Sequence, residues 1–178
     1  DIIANAACRD LATVETHIRG YFAGGEGTGQ APNPQNKNIT IKGFANNSES
    51  LNFGELSQQG KRGAGVGSHT RGVFIIGGLA ASPEAFSNII EFITLTTSGE
   101  VTDFGDATST TGHNNNNSAS NTIRGVYHNP RTSDGGTNLN TLEFITIATT
   151  GNATDFGDLN YAANSGCGVS DSHGGLPL

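Results

Sequence analysis

The 178-residue sequence has no tryptophan, no methionine and only two cysteines, and just 14% of its residues are charged. Nine Lys and Arg stand against sixteen Asp and Glu, for a formal net charge of −7. Nucleic acid is a poor partner for such a chain, because neutralising phosphates requires clustered positive charge. Hydrophobic residues make up 34%, below the usual globular share. No unbroken apolar run is long enough for a spanning helix, which needs about 18 residues or more. Without tryptophan, and with aromatics at 7%, platforms for stacking a sugar ring are scarce. The missing methionine and the opening at Asp1 are what a chain processed or trimmed at its N terminus, or one lacking its first residues, would show.

The space left by these shortages is filled by 26 glycines and by many Asn, Ser and Thr. β-Branched Thr and turn-forming Gly and Asn disfavour helix interiors, so this composition predicts an all-β fold of short strands joined by many turns. Cys8 and Cys167 lie near opposite ends. A disulfide between them would close a loop of about 160 residues and contribute ~4–5 kcal/mol in the chain-entropy model; the alternative is two unpaired small hydrophobes. Four sequons, at Asn38, Asn46, Asn116 and Asn152, are candidate N-glycosylation sites, though an Asn- and Thr-rich chain produces several by chance.

Internal repetition is the strongest signal. Arg71-Gly72-Val73-Phe74 recurs upstream as Arg19-Gly20-Tyr21-Phe22 and downstream as Arg124-Gly125-Val126-Tyr127, with spacings of 52 and 53 residues. Each copy is followed by a β-rich run: 38–41, 88–97 (NIIEFITLTT) and 140–150 (NTLEFITIATT). Each run leads into a box: Asn52-Phe53-Gly54-Glu55, Asp103-Phe104-Gly105-Asp106 and Asp155-Phe156-Gly157-Asp158. The Arg-to-Phe offsets are 34, 33 and 32 residues, a regularity chance does not keep.

The chain therefore divides into an N-terminal pairing segment (1–18), repeat 1 (19–70), repeat 2 (71–123), repeat 3 (124–159) and a C-terminal partial repeat (160–178), together one repeat domain. Period-2 alternation in the runs, bounded by Gly, Asn and Ser, predicts antiparallel sheets of three or four strands. A less regular fourth strand is expected between each box and the next Arg, and another within 13–18. One such sheet cannot bury its apolar face alone and must pack on a neighbour. The end fragments would pair within the chain or with other chains. The polar insertions 27–37, 114–120 and 130–138 read as exposed loops.

Motifs that suggest chemistry have plainer readings. Asp-Phe-Gly at Asp103 and Asp155 lacks every other kinase element and occurs once per repeat. Phe53, Phe104 and Phe156 are expected to plug the core, while Gly54, Gly105 and Gly157 permit a bulge or turn. Asp103, Asp106, Asp155 and Asp158 could offer oxygen ligands to calcium, but no twelve-residue calcium loop is present, so turn and capping roles fit better and no cofactor is expected. The glycines of 24–29 lack the lysine and helix of a phosphate loop. The five histidines (17, 69, 113, 128 and 173) have no metal-ligand spacing. Arg19, Arg71 and Arg124 are expected to share one structural role, tying a strand end to a carboxylate or carbonyl. No nucleophile turn announces a catalytic triad, and no catalytic residue is assigned.

The pattern RGVF…GG with FITIATTGNATDFGDL (144–159) resembles the tandem repeat of structural proteins from tailed bacteriophages of aquatic bacteria, including cyanophage tail-fibre-like and other virion proteins. It covers the chain from about Arg19 to Leu159. The unit is also loosely similar to propeller blades of the kelch and chromosome-condensation-regulator types. Propellers close with about four to eight blades, so three units suit a prism or completion by neighbouring chains.

The resemblance implies a non-enzymatic structural subunit of an extracellular assembly, a phage tail fibre or virion appendage. That subunit would associate with itself, with its loops facing a host-surface glycan or receptor. Two alternatives stay open. One is the subunit of a glycosylated microbial surface fibre or pilus-like filament joined by β-strand complementation. The other is a carbohydrate-binding module using Tyr21, Tyr127 or Tyr161.

Overall fold

The computed structural model describes residues 11–15, 18–25, 36–45, 49–79, 85–97, 99–111, 117–131, 136–164, 166 and 168. Among them there is no helix. Fourteen strands form three antiparallel sheets, the all-β, blade-like architecture the repeats predict.

The first sheet is a meander of β1 (Leu11–Glu15), β2 (Arg19–Gly24), β3 (Asn38–Gly43) and β4 (Leu51–Glu55). Two short strands follow differently: β5 (Gly60–Lys61) pairs with β8 (Gly78–Leu79), which in turn pairs with the start of the long strand that begins at Ala85. The main body of the second sheet is β6 (Ala64–Gly67), β7 (Arg71–Ile75), β9 (Ala85–Thr94) and β10 (Thr102–Thr111). The third sheet is β11 (Ser118–Ser120), β12 (Arg124–His128), β13 (Leu139–Thr146) and β14 (Thr154–Ala163). Each sheet thus begins one strand before its Arg. The short spacers before Arg19, Arg71 and Arg124 favour antiparallel hairpins with the preceding strand.

The sheets pack in series, and the burial patterns record it. In the second sheet Val73, Phe74, Ile75 and Ile76 are all buried, because both faces are covered. Phe74, Ile76, Ile93 and Leu95 join Val14, Tyr21, Ile39 and Phe53 in one core. Val73, Ile75, Ile90 and Phe104 join Tyr127, Ile145 and Ile147 in a second. A strand covered on both sides reads as a continuous apolar run, while one covered on a single side alternates. β14 is outermost, and its side chains are mostly exposed.

The first strands of the sheets line up as an inner row. β1 touches β6, and β6 touches β11; Ser118 Oγ donates to the Gly65 carbonyl at 2.8 Å. Glycine is required at Gly65 because a β-carbon there would overlap the Thr13 backbone. Gly168 repeats this against Ser118, so residues 166 and 168 continue the inner row beyond the third sheet.

Candidate functional site: a repeated sheet-to-sheet interface and its open faces

The boxes singled out in the sequence form the seams between sheets. Each box contains a bulge: the register shifts at Ile39/Thr40 opposite Phe53, between Asp103 and Gly105, and at Leu142/Glu143 opposite Phe156. The bulge turns the Phe onto the face toward the next sheet. The turn of that next sheet then docks on the bulge. The Gly99 amide donates to the Phe53 carbonyl (3.1 Å) and the Val101 amide to Glu55 (3.3 Å). One seam later the Gly151 amide donates to the Phe104 carbonyl (2.7 Å) and the Ala153 amide to Asp106 (2.8 Å). The same two bonds thus recur in both seams. At Gly54 and Gly105 any side chain would collide with the carbonyls of Gly99 and Gly151, which explains their place in the box.

Each seam also holds a buried glutamate, which the sequence reading passed over as a residue of an alternating strand. Glu91 accepts from the Ser57 amide at 3.2 Å. Burial is the main cause that raises its pKa above the usual carboxylate value, opposed by the Ser57 hydrogen bond and aided by the negative charge of Asp103. Glu143, fully buried, accepts from four donors: Tyr127 Oη and Thr108 Oγ1 at 2.7 Å each, and the Thr108 amide and Asn129 Nδ2 at 3.1 Å each. Burial, with the Glu143 carboxylate alongside, pushes the Tyr127 hydroxyl far above its ordinary range. The signal was present in NIIEFIT and NTLEFIT: one acid at the same place in an otherwise apolar run.

The arginines fall at equivalent strand starts. Arg71 stacks over Phe92, 4.2 Å from the ring centroid, and donates from Nη1 to the Ile147 carbonyl of the third sheet at 2.9 Å. Arg124 lies over Phe144 at 5.0 Å. Arg19 begins β2 and is exposed.

The last box departs from the expectation that all three phenylalanines plug the core. Phe53 is 8% exposed and Phe104 2%, but Phe156 is 48% exposed. The motif is the same; what is missing is a covering sheet among the described residues. Phe156 keeps its edge-on contact with Phe144 at 5.6 Å, matching Phe92–Phe104 at 6.1 Å and Tyr21–Phe53 at 5.2 Å. The outer face of the third sheet is thus an uncovered copy of a face the molecule buries twice.

The opposite end of the array differs. Where the second and third sheets bury Ile93 and Ile145, the first sheet has Lys42; where they bury Glu91 and Glu143, it has Thr40. Together with Phe22, Gly24, Asn36, Asn38 and Ser50 these residues line a shallow groove of about 430 Å³. Phe44 lies 49% exposed at its side. A Lys37–Glu55 ion pair, which raises the lysine pKa, joins the residue before β3 to the end of β4.

The remaining sequence candidates are dispersed. Asp103, Asp106, Asp155 and Asp158 are exposed, and no group of three or more His, Cys, Asp or Glu among the described residues is placed to hold a metal. Asn38 is exposed on β3. Asn152 is exposed, with its side-chain carbonyl accepting from the Asp106 amide at 3.0 Å. Cys8, Cys167, Asn46 and Asn116 lie outside the described residues. Tyr21 and Tyr127 are each 1% exposed, so neither can stack on a sugar; Tyr161 is 65% exposed. His128 is buried, with Nε2 3.0 Å from the Leu139 carbonyl. Among the described residues no helix is long and apolar enough to cross a membrane.

No family model matches the chain, and no curated protein does. A solved structure described as "Structure of YjhT" superposes with a TM-score of 0.67 at 8% identity, over 86% of this chain and 53% of that one. The chain spans about half the length of that structure, and the likeness is one of fold.

Proposed function

We propose that this chain is a non-enzymatic structural subunit of an extracellular assembly, a phage tail fibre or virion appendage protein. The observation that carries the reading is the face of the third sheet that no described residue covers. The molecule uses the same bulge, the same backbone bonds and the same aromatic pair to join sheet to sheet, and it presents that surface once more at its edge. A large exposed apolar patch with a polar surround marks an association site.

The interior polar groups also support a scaffold role. Glu91, Glu143 and Arg71 are occupied with seam bonds rather than converging on a cleft. The repeat pattern's resemblance to virion proteins favours the viral assembly over other fibres. The loops would face the host surface, where a glycan or receptor is the expected partner.

Electron microscopy of the native material tests this. Appendages or regular rods that bind an antibody against the chain are the expected result. Discrete monomers that bind a glycan and never enter a particle would overturn it in favour of a binding module.

A further inference from the structure

We propose that the open face of the third sheet takes the first sheet of a second copy of this chain, head to tail. The inference rests on the structural-subunit reading and names its contact. A seam joins two unlike faces: the Phe box of one sheet, and the face that the next sheet turns toward it. Along β13 and β14 the third sheet presents the first kind. Phe144 and Phe156 are in edge-on contact, and nothing lies within 4 Å of where a Gly157 β-carbon would be. Arg124 lies over Phe144 as Arg71 lies over Phe92.

The far face of the first sheet is a further copy of the second kind. The registers fix the equivalence. Gly20–Lys42, Gly72–Ile93 and Gly125–Ile145 are like pairs. The amides of Phe44, Leu95 and Ile147 each donate to the carbonyl just before a repeat Arg. Phe22 therefore stands where the covering faces carry Phe74 and Tyr127, and Phe44 where they carry Leu95 and Ile147. Those four side chains are buried, whereas Phe22 is half-buried and Phe44 is 49% exposed. The first sheet thus keeps two aromatic rings at the places the seams fill with large apolar or aromatic side chains.

Its polar substitutions are compatible with the same joint. Ile93 shares a core with Phe53, and Ile145 with Phe104, so Lys42 in their place comes to Phe156. Its carbon stem can pack there while its ammonium group meets the ring, a cation–aromatic contact. Thr40, in the place of Glu91 and Glu143, brings no carboxylate to bury. A joint of unlike faces is heterologous and repeats from copy to copy.

One seat is contested. The inner row runs through Thr13, Gly65, Ser118 and Gly168, and β1 of the incoming copy needs the place beside Ser118 that Gly168 holds. β1 is tied to β2 by five paired residues and buries Ala12 and Val14, while residues 166 and 168 belong to no strand. β1 is the stronger claimant, so residues 166 and 168 act as a strap that yields on docking.

The test is sedimentation velocity of the full chain under reductant, over a concentration range of about 1–50 µM, with circular dichroism to confirm that each variant folds. Phe156→Glu spoils the third-sheet face and Phe44→Glu the first-sheet face, and each alone raises the dissociation constant roughly a hundredfold. Mixed in equal amounts, the two variants are expected to form a two-copy species and nothing larger, because each keeps the face the other has lost. Gly168→Val, whose side chain would collide with the Ser118 carbonyl, evicts the strap and tightens association roughly tenfold.

A Phe44→Glu chain that associates as well as wild type would overturn the head-to-tail contact, as would a mixture of the two variants that stays single. A chain that stays single throughout, with Gly168→Val included, would overturn it too. Association weakened by Gly168→Val would overturn the strap and make that segment part of the joint. The structural-subunit reading itself fails separately, if the chain is absent from appendages in the microscope.

Discussion

Glu91 and Glu143 occupy the same place in successive repeats, yet their replacement by glutamine is expected to have opposite consequences. Glu143 receives two donors on each oxygen: Thr108 Oγ1 and Asn129 Nδ2 on Oε1, and the Thr108 amide and Tyr127 Oη on Oε2. Glutamine replaces one oxygen with a donor-only NH₂. A hydroxyl can rotate to accept, but the Thr108 and Asn129 N–H groups cannot, so one N–H, that of buried Asn129 or that of Thr108 in its part-buried bond, loses its acceptor whichever way the amide turns. An orphaned buried donor costs ~1–3 kcal/mol, and the lost bonds were charge-assisted. Glu143→Gln should therefore destabilise by about 2–4 kcal/mol, a fall in Tm of roughly 5–15 °C for a chain of this size.

Glu91 has the Ser57 amide, which a glutamine carbonyl can keep. Its folded pKa lies above the unfolded value of 4.5, so the native state binds the proton more tightly and the buried charge costs stability at neutral pH. That cost is relieved as pH falls through the folded pKa and is gone below the unfolded one. Glu91→Gln should be neutral or stabilising at pH 7, and its advantage should shrink as pH approaches 4.5. Urea unfolding at pH 7 and pH 5 measures both. Equal losses for the two variants, or a Glu143→Gln protein as stable as wild type, would refute the reasoning.

Other outcomes follow from the seams. Gly105→Ala combines a φ of 143° with a collision against the Gly151 carbonyl and should cost more than about 3 kcal/mol in thermal melts. Gly157→Ala, at φ 110° but in open space, should cost only the ~1–2 kcal/mol of a left-handed residue. Phe104→Ala should lose about 3–5 kcal/mol in urea titration, and Phe156→Ala in the isolated chain less than about half of that. Arg71→Lys forfeits the planar stack on Phe92 and the bond to Ile147, for about 1–2 kcal/mol; Arg124→Lys should be near neutral until the chain associates.

Much of this architecture was legible in the sequence because the repeat placed residues with like roles at like offsets. The runs from Asn38 and Asn88 and the Arg-Gly segments became strands, with β1 before the first Arg. β6 and β11 lie between a box and the next Arg as expected, but they pair into the following sheet, and β11 takes up 118–120, which had the composition of an exposed loop, because its serines hydrogen-bond to the neighbouring inner strand. β10 runs on to Thr111, well past its last apolar residue, because an edge strand needs only backbone pairing and its Thr and Ser carry no core pattern. What the sequence could not tell is which copy of a face is covered. Phe53, Phe104 and Phe156 stand in near-identical boxes, and their exposure is decided by a neighbouring sheet that no local pattern encodes. Lys42 was the one sign that the far face of the first sheet differs from the matching faces of the other two, and it becomes meaningful only once its register aligns it with Ile93 and Ile145. The buried role of Glu143 was hidden for a similar reason, since Thr108, one of its donors, belongs to the preceding sheet.

The central claim is that the open face of the third sheet is the one used in assembly. Hydroxyl-radical footprinting of native material against the dispersed chain reads it directly, because Phe156, Tyr161, Phe44 and Leu51 are all substantially exposed in the single chain. The account predicts that assembly shields Phe156, and with it Phe44 of the docking first sheet, while Leu51 remains as reactive as before. Shielding of Leu51 with Phe156 left reactive would contradict it.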